Sequence, residues 1–91
     1  MIKTPNQIEI DIEIKADQWV KDNIVKFNDW LDEYGVYVLD GKTKEFTTPV
    51  VPFAKYQRLI DIIKNAGWKV NSEYYYAKHA EKWYLRLEIF K

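Results

Sequence analysis

Residues 7–14, QIEIDIEI, carry three carboxylates at alternate positions, Glu9, Asp11 and Glu13. Carboxylate oxygens are the ligands that hard cations such as Mg²⁺ and Ca²⁺ prefer. Glu13 and Lys15 also have the E-x-K spacing of nuclease sites that hold a metal ion and polarise water. A single extended strand holds the three carboxylates too far apart for one ion, and no separate aspartate on a neighbouring strand completes the nuclease pattern. We therefore expect no metal site here.

Nucleophilic catalysis finds no support in the sequence either. The chain has one serine, Ser72, one histidine, His79, and no cysteine. An acyl-transfer triad needs its nucleophile and its base in contact. We expect Ser72 on the core-facing side of a strand and His79 in a tight turn. Since the chain also lacks a glycine-rich phosphate loop and Cys/His metal spacings, we predict that it is not an enzyme and binds no cofactor.

Acidic residues and tryptophans are concentrated in one helical segment, which suggests a binding surface. Residues 1–40 have a net charge of −5 and residues 41–91 a net charge of +5, although the total is zero. Such asymmetry marks a partner-binding pole or is neutralised when the two halves interleave. Tryptophan is enriched at binding hot spots, or here it packs against the second helix or a loop. We call the candidate surface the acidic pole: Trp19, Asp22, Asp29, Trp30, Asp32 and Glu33.

The aromatic segment 71–90 offers a second candidate surface. Strand alternation places most of its rings on the core face and leaves Tyr75 and Tyr84 on the other face, here called the open face. A ferredoxin-like RNA-binding protein stacks bases on such a face. The same two tyrosines also suit an ordinary cross-strand pair. The candidate nucleic-acid residues are Lys69, Tyr75, Lys82, Tyr84 and Arg86, and we expect Glu9, Asp11 and Glu13 to lie beside the three bases and repel phosphate.

The secondary-structure elements that would position these residues are predicted from the spacing of apolar residues and from the residues typical of turns and helix ends. Strict alternation predicts a strand over 7–14, and apolar residues at helical spacing predict a helix over 17–34, with Asp17 as N-cap and Gly35 as its stop. Asp40-Gly41 between apolar runs predicts a hairpin of 36–39 with 43–48, although 43–48 also reads as loop. A second helix over 53–66 and strands over 68–76 and 82–90 complete the order.

This order predicts a single α+β domain over residues 1–91, a small antiparallel sheet with two helices on one face. The first six elements match the ferredoxin-like β-α-β-β-α-β plan, and the last strand is an extra C-terminal one. Fifteen aromatic residues among 91 suit a small, efficient core. The sequence shows no signal peptide and no apolar run long enough to span a membrane, so we expect a cytoplasmic protein.

The chain resembles, in general character over its whole length, the small accessory proteins of phages and mobile elements of AT-rich bacteria. It is rich in Asn, Lys, Asp, Ile and Tyr and free of catalytic motifs. That resemblance implies an inhibitor of a host enzyme, as anti-CRISPR and anti-restriction proteins are. We therefore expect a protein-binding module that uses the acidic pole. The alternatives are a nucleic-acid-binding or regulatory domain that uses the open face, and a homodimer formed through the exposed edge of the last strand.

Overall fold

The computed structural model describes all residues, 1–91. Two helices cover one face of a three-stranded antiparallel sheet, so the predicted α+β class is confirmed. The ferredoxin-like plan with an extra strand is not confirmed, because the sheet has three strands and the first helix is far longer than expected. No helix combines the length and the apolar character needed to cross a bilayer. The elements are α1 (Pro5–Leu39), β1 (Lys44–Pro49), α2 (Tyr56–Asn65), β2 (Lys69–Ala77) and β3 (Lys82–Phe90).

Helix α1 covers three elements that the sequence predicted as separate: a strand over 7–14, a helix over 17–34 and a strand over 36–39. The strand predicted over 7–14 is therefore wrong. The helix begins at a capping box in which the Thr4 hydroxyl accepts from the Gln7 amide at 3.2 Å, and the Gln7 side chain accepts from the Thr4 amide at 2.8 Å. Pro5 at the first helical position fits this start. Asp17 is therefore an interior residue, and its predicted role as N-cap is also wrong.

The strand prediction failed because residues at every second position include residues four apart, and residues four apart also share one side of a helix. Ile8 and Ile12 lie four residues apart and continue the stripe of Ala16 and Val20 toward the N-terminus. The first eleven or so residues of α1 extend beyond the core, and the isoleucines there are 43 to 63% exposed. A strand at this position would have needed a neighbour to satisfy its backbone, whereas a helix bonds within itself.

The C-terminus of α1 corrects two further predictions, the stop at Gly35 and the hairpin over 36–48. The helix continues through Gly35 because one more turn buries Val38 completely. It then ends in a Schellman motif at Gly41, whose φ is +90°: the Gly41 amide donates to Val38 O and the Lys42 amide to Tyr37 O. The Asp-Gly pair is thus a helix stop and not a hairpin turn. Residues 43–48, predicted as strand or loop, contribute to β1.

The three strands have the order β1-β3-β2, with β3 in the centre and both neighbours antiparallel to it. The predicted C-terminal hairpin is confirmed, while the expectation that the last strand offers an exposed edge is wrong. Leu85, Leu87 and Ile89 of β3 are almost fully buried beneath the helices, as their alternation predicted. The core they form also contains Val20 and Phe27 of α1, Phe46 of β1, and Leu59 and Ile63 of α2.

Candidate functional site

The acidic pole lies along α1, which carries eight carboxylates and three lysines. Two of these carboxylates bind cations from the second half of the chain: Asp17 pairs with Arg58 at 2.6 Å and Glu13 with Lys55 at 3.5 Å. The two halves therefore neutralise each other in part. The four carboxylates of the acidic pole make no ion pair in the structure. No salt bridge within the chain neutralises their negative charge.

Trp30 is fixed in a defined orientation beside the outer edge of β1. Its indole N–H donates to the carbonyl oxygen of Glu45 at 3.0 Å. One side of its ring stacks on Phe27, with centroids 5.5 Å apart and planes 16° from parallel, and Phe46 meets it edge-on at 6.1 Å. The ring is partly buried and packs against the core cluster. Trp30 is thus a partly exposed aromatic surface that its neighbours hold in one orientation.

An open groove of about 430 Å³ runs between α1 and β1, and Trp30 lines it. Three carboxylates and two lysines surround the ring, so the groove is mixed in charge with an acidic excess. The Lys44 ammonium is directed over the Tyr37 ring, 5.0 Å from its centroid. The groove is lined by Lys26, Asp29, Trp30, Glu33, Tyr34, Lys44, Glu45, Phe46 and Thr47.

The structure brings together half of the predicted acidic pole, namely Asp29, Trp30 and Glu33. Trp19 is only 9% exposed and meets Tyr56 edge-on at 5.1 Å, so it packs against the second helix. Asp22 accepts from Gln18 at 2.8 Å and borders a separate shallow depression. Asp32 is exposed on α1 outside the groove. The cluster of chemical interest is therefore smaller than the predicted one.

Six groove residues lie outside the predicted acidic pole: Lys26 and Tyr34 are on α1, and the other four come from β1. Glu45 and Thr47 face outward because Phe46 and Thr48 face the core. Their alternation could have shown this, since KEFTT reads polar-apolar-polar around Phe46. The sequence does not show that Glu45 and Thr47 lie beside Asp29 and Glu33, because that depends on how α1 packs along β1.

The open face is built around Arg86 at the centre of β3. Its guanidinium pairs with Glu73 at 2.5 Å and approaches Glu45 at 3.8 Å, and it lies over the Tyr75 ring, 5.2 Å from the centroid. The hydrogen bond to the Glu73 carboxylate raises the pKa of Arg86 above its usual range. Arg86 is thus already engaged by one hydrogen-bonded carboxylate, a second carboxylate and an aromatic ring, although its Nε has no hydrogen-bond partner.

Among the remaining candidate residues of the open face, the two tyrosines form a pair and the two lysines do not. Tyr75 and Tyr84 are direct cross-strand partners and stack at 5.7 Å with planes 21° apart. Lys69 and Lys82 lie at opposite ends of the sheet and make no ion pair. The expectation that Glu9, Asp11 and Glu13 share this face is wrong, because those residues lie on α1, where Lys3 lowers the pKa of Asp11. Strand alternation gives the face three other carboxylates, Glu45, Glu73 and Glu88.

The residues considered for catalysis remain apart from any site. Ser72 lies opposite the buried Leu87 and so on the core-facing side of the sheet, as expected, although it is exposed on the edge strand β2. His79 is exposed in the turn between β2 and β3. No group of three His, Asp or Glu side chains is arranged to hold a metal ion. The groove between α1 and β1 is the best-defined candidate site, with carboxylates, lysines and aromatic rings on its walls. Comparisons with protein-family models, curated proteins and solved structures find no match to this chain.

Proposed function

We propose that the protein is a non-enzymatic binding module whose groove between α1 and β1 accepts a basic segment of another protein. One observation carries the proposal: Asp29 and Glu33 have no cationic partner and flank the rigid, partly exposed ring of Trp30. An arginine or lysine side chain would place its cationic group over the free face of this ring and beside the two carboxylates. Cation–π contacts of this kind contribute roughly 0.5 to 2 kcal/mol.

The unpaired carboxylates would act mainly on partner choice and association rate. Complementary charge steers encounter and penalises partners of the wrong sign. Asp22 and Asp32 extend the negative potential beyond the groove. A basic nucleic-acid-binding surface on an enzyme has the matching charge. The module would then inhibit by covering that surface, and the resemblance to phage accessory proteins makes a host defence enzyme of the anti-CRISPR or anti-restriction kind the target class.

Charge reversal tests the proposal with a defined probe. The variant Asp29→Lys/Asp32→Lys/Glu33→Lys should keep its fold, because these carboxylates are exposed and unpaired. The probe is an arginine-rich peptide titrated at low salt. We expect wild-type binding that weakens as salt rises, and in the variant an association rate about one to three orders of magnitude lower.

A control variant with the same change in net charge shows whether the position of the acidic-pole carboxylates matters for binding. Glu9→Lys/Asp61→Lys/Glu81→Lys makes the same charge change at three carboxylates that likewise form no ion pair and do not line the groove. This control should bind the peptide far better than Asp29→Lys/Asp32→Lys/Glu33→Lys. Equal losses of affinity in the two variants, or unchanged affinity in Asp29→Lys/Asp32→Lys/Glu33→Lys, would refute the proposal. We expect the bound peptide to change the fluorescence of Trp30, and Trp30→Phe should remove that change.

The alternative function, nucleic-acid binding through the open face, is tested beside the peptide. Stacked Tyr75 and Tyr84 favour it, whereas the two carboxylates beside Arg86 work against phosphate. Short single-stranded RNA and DNA are added at low salt. Binding that falls by about 1 to 3 kcal/mol per lost stacked base in Tyr75→Ala/Tyr84→Ala would replace the groove proposal with this one.

A further inference from the structure

The direction of each backbone group in the sheet follows from one hydrogen bond and the strand register. The Val50 amide donates to Trp83 O at 3.0 Å, so the backbone groups of odd-numbered β3 residues point toward β1. Successive residues of a strand point their N–H and C=O to alternate sides. Even-numbered β3 residues therefore point toward β2. Since Tyr84 is opposite Tyr75, odd-numbered β2 residues point back to β3 and even-numbered ones point out of the sheet.

The free edge of β1 is closed by side chains. The Glu45 carbonyl accepts from the Trp30 indole at 3.0 Å, and the Pro49 carbonyl accepts from the Tyr56 hydroxyl at 3.2 Å. Pro49 also lacks an N–H at the outward position where a pairing strand would need one. These features protect β1 against the addition of another strand.

The free edge of β2 has none of these protections. It is nine residues long, contains no proline, and receives no side-chain hydrogen bond on its outward groups. Tyr74 and Tyr76 beside it are 55% and 46% exposed, and Ser72 is exposed as well. Four N–H and four C=O groups thus face solvent in a row, at Val70, Ser72, Tyr74 and Tyr76.

We propose that β2 pairs antiparallel with β2 of a second copy of this chain, with Ser72 on the two-fold axis, so that two sheets join into one of six strands. The occupant is a second copy because the strand complements itself in charge. With Ser72 at the axis, Lys69 lies opposite the partner's Tyr75 and diagonal to the partner's Glu73. Val70 lies opposite the partner's Tyr74, and Asn71 opposite the partner's Glu73.

Other registers lose these contacts. An axis between two residues pairs outward groups with inward ones and forms no ladder. An axis at Glu73 sets two carboxylates directly opposite each other, which destabilises the pair. An axis at Asn71 leaves both Tyr74 and Tyr76 without a strand residue opposite them. An axis at Tyr74 leaves Val70 without one and moves Lys69 away from the partner's Glu73. Of the outward-pointing residues, the register centred on Ser72 leaves only Tyr76 without one, and it keeps Lys69 diagonal to the partner's Glu73.

The dimer is independent of the groove. Because the strand order is β1-β3-β2, pairing through β2 leaves both copies of the α1–β1 groove at the far edges of the joined sheet. A failure of one proposal therefore leaves the other standing. Two accessible grooves would also let one dimer engage a partner twice, which raises its apparent affinity.

Light scattering after size exclusion tests the dimer, with Ser72→Lys as the disrupting variant and Thr47→Lys as its control. Both residues are exposed on the outermost strands, and only Ser72→Lys sets two ammonium groups together at the axis. We expect a mass of two chains for the wild type and Thr47→Lys, and one chain for Ser72→Lys with unchanged circular dichroism. A monomeric wild type at high-micromolar concentration, or a Ser72→Lys dimer, overturns the proposal.

A cysteine variant tests the register directly, because the chain has no cysteine of its own. Hydrogen-bonded cross-strand positions lie about 5.5 Å apart at Cα, within the span of roughly 4.4 to 6.8 Å that a disulfide bridges. Ser72→Cys should cross-link to itself under mild oxidation much faster than Thr47→Cys on the other outer strand. Equal rates for the two variants contradict the register centred on Ser72.

Discussion

A buried polar contact between α1 and β1 gives the sharpest test of the fold. Asn23 and Thr48 are 2% and 3% exposed, and the Thr48 hydroxyl donates to Asn23 Oδ1 at 3.1 Å. The Asn23 amide group in turn donates to Trp19 O at 2.9 Å. This chain of bonds links the long helix to the strand that forms the other wall of the groove. We perturb it with Asn23→Leu, Thr48→Val and the double variant.

Each single variant leaves one buried polar group without a partner. Asn23→Leu leaves the Thr48 hydroxyl unbonded, and Thr48→Val leaves Asn23 Oδ1 unbonded. Such a group costs about 1 to 3 kcal/mol, whereas replacing both partners with apolar groups of similar shape is nearly neutral. We therefore expect each single variant to lower the free energy of unfolding by about 1 to 3 kcal/mol, and the double variant to recover much of that loss.

Urea unfolding followed by circular dichroism measures all four proteins. In a domain of this size about 1 kcal/mol corresponds to roughly 4 to 8 °C in Tm, so thermal scans give a second readout. Thr47→Val on the exposed side of β1 is the control and should change the free energy by less than about 0.5 kcal/mol. Additive losses in the double variant would mean that the two side chains do not interact, and the docking of α1 along β1 would then be wrong.

Two further predictions concern Tyr56 and Gly41. Burial raises the pKa of the Tyr56 phenol above its usual value, and its hydroxyl accepts from the Val51 amide at 2.7 Å. Since the folded pKa is the higher one, its contribution to stability is complete below about pH 10 and is lost as pH rises through the folded pKa. Between about pH 9 and 11, the free energy of unfolding should fall less steeply with pH for Tyr56→Phe than for wild type. Equal slopes would contradict this account. Gly41 has a φ of +90°, so Gly41→Ala should cost about 1 to 2 kcal/mol. Gly35→Ala, within the helix and with Leu31 no closer than 3.9 Å to the new methyl, should be neutral or stabilising in the same assay.

The sequence predicted the C-terminal hairpin well because its alternation has one interpretation there. Residues 68–90 have no competing helical stripe, and the inward leucines and isoleucine of β3 fix its register against the core. The stack of Tyr75 on Tyr84 followed directly from that register. The second helix was also predicted, with its start three residues too early.

The N-terminal half failed because its local signals fit two structures at once. Isoleucine at every second position satisfies both a strand and one side of a helix, and a glycine after a helical stripe can end a helix or lie within it. Tertiary packing decided both cases. Val38 gains full burial if α1 continues past Gly35, and residues 7–14 have no strand beside them to pair with. Single-sequence patterns contain neither fact.

The wrong strand at residues 7–14 also changes which carboxylates lie on the open face, although the face still carries as many acidic as basic residues. We expected carboxylates of a central first strand to oppose phosphate, and that strand does not exist. Glu45 and Glu73, on the two strands that flank β3, take their place around Arg86. Both were visible in the sequence as outward residues of their strands, but their partner was hidden until the order β1-β3-β2 was known. A cation between two carboxylates attracts phosphate less than a free one. Of the three candidate bases on the open face, only Lys69 and Lys82 therefore remain unpaired, and they lie at opposite ends of the sheet, whereas the unpaired acids of the acidic pole lie together on α1.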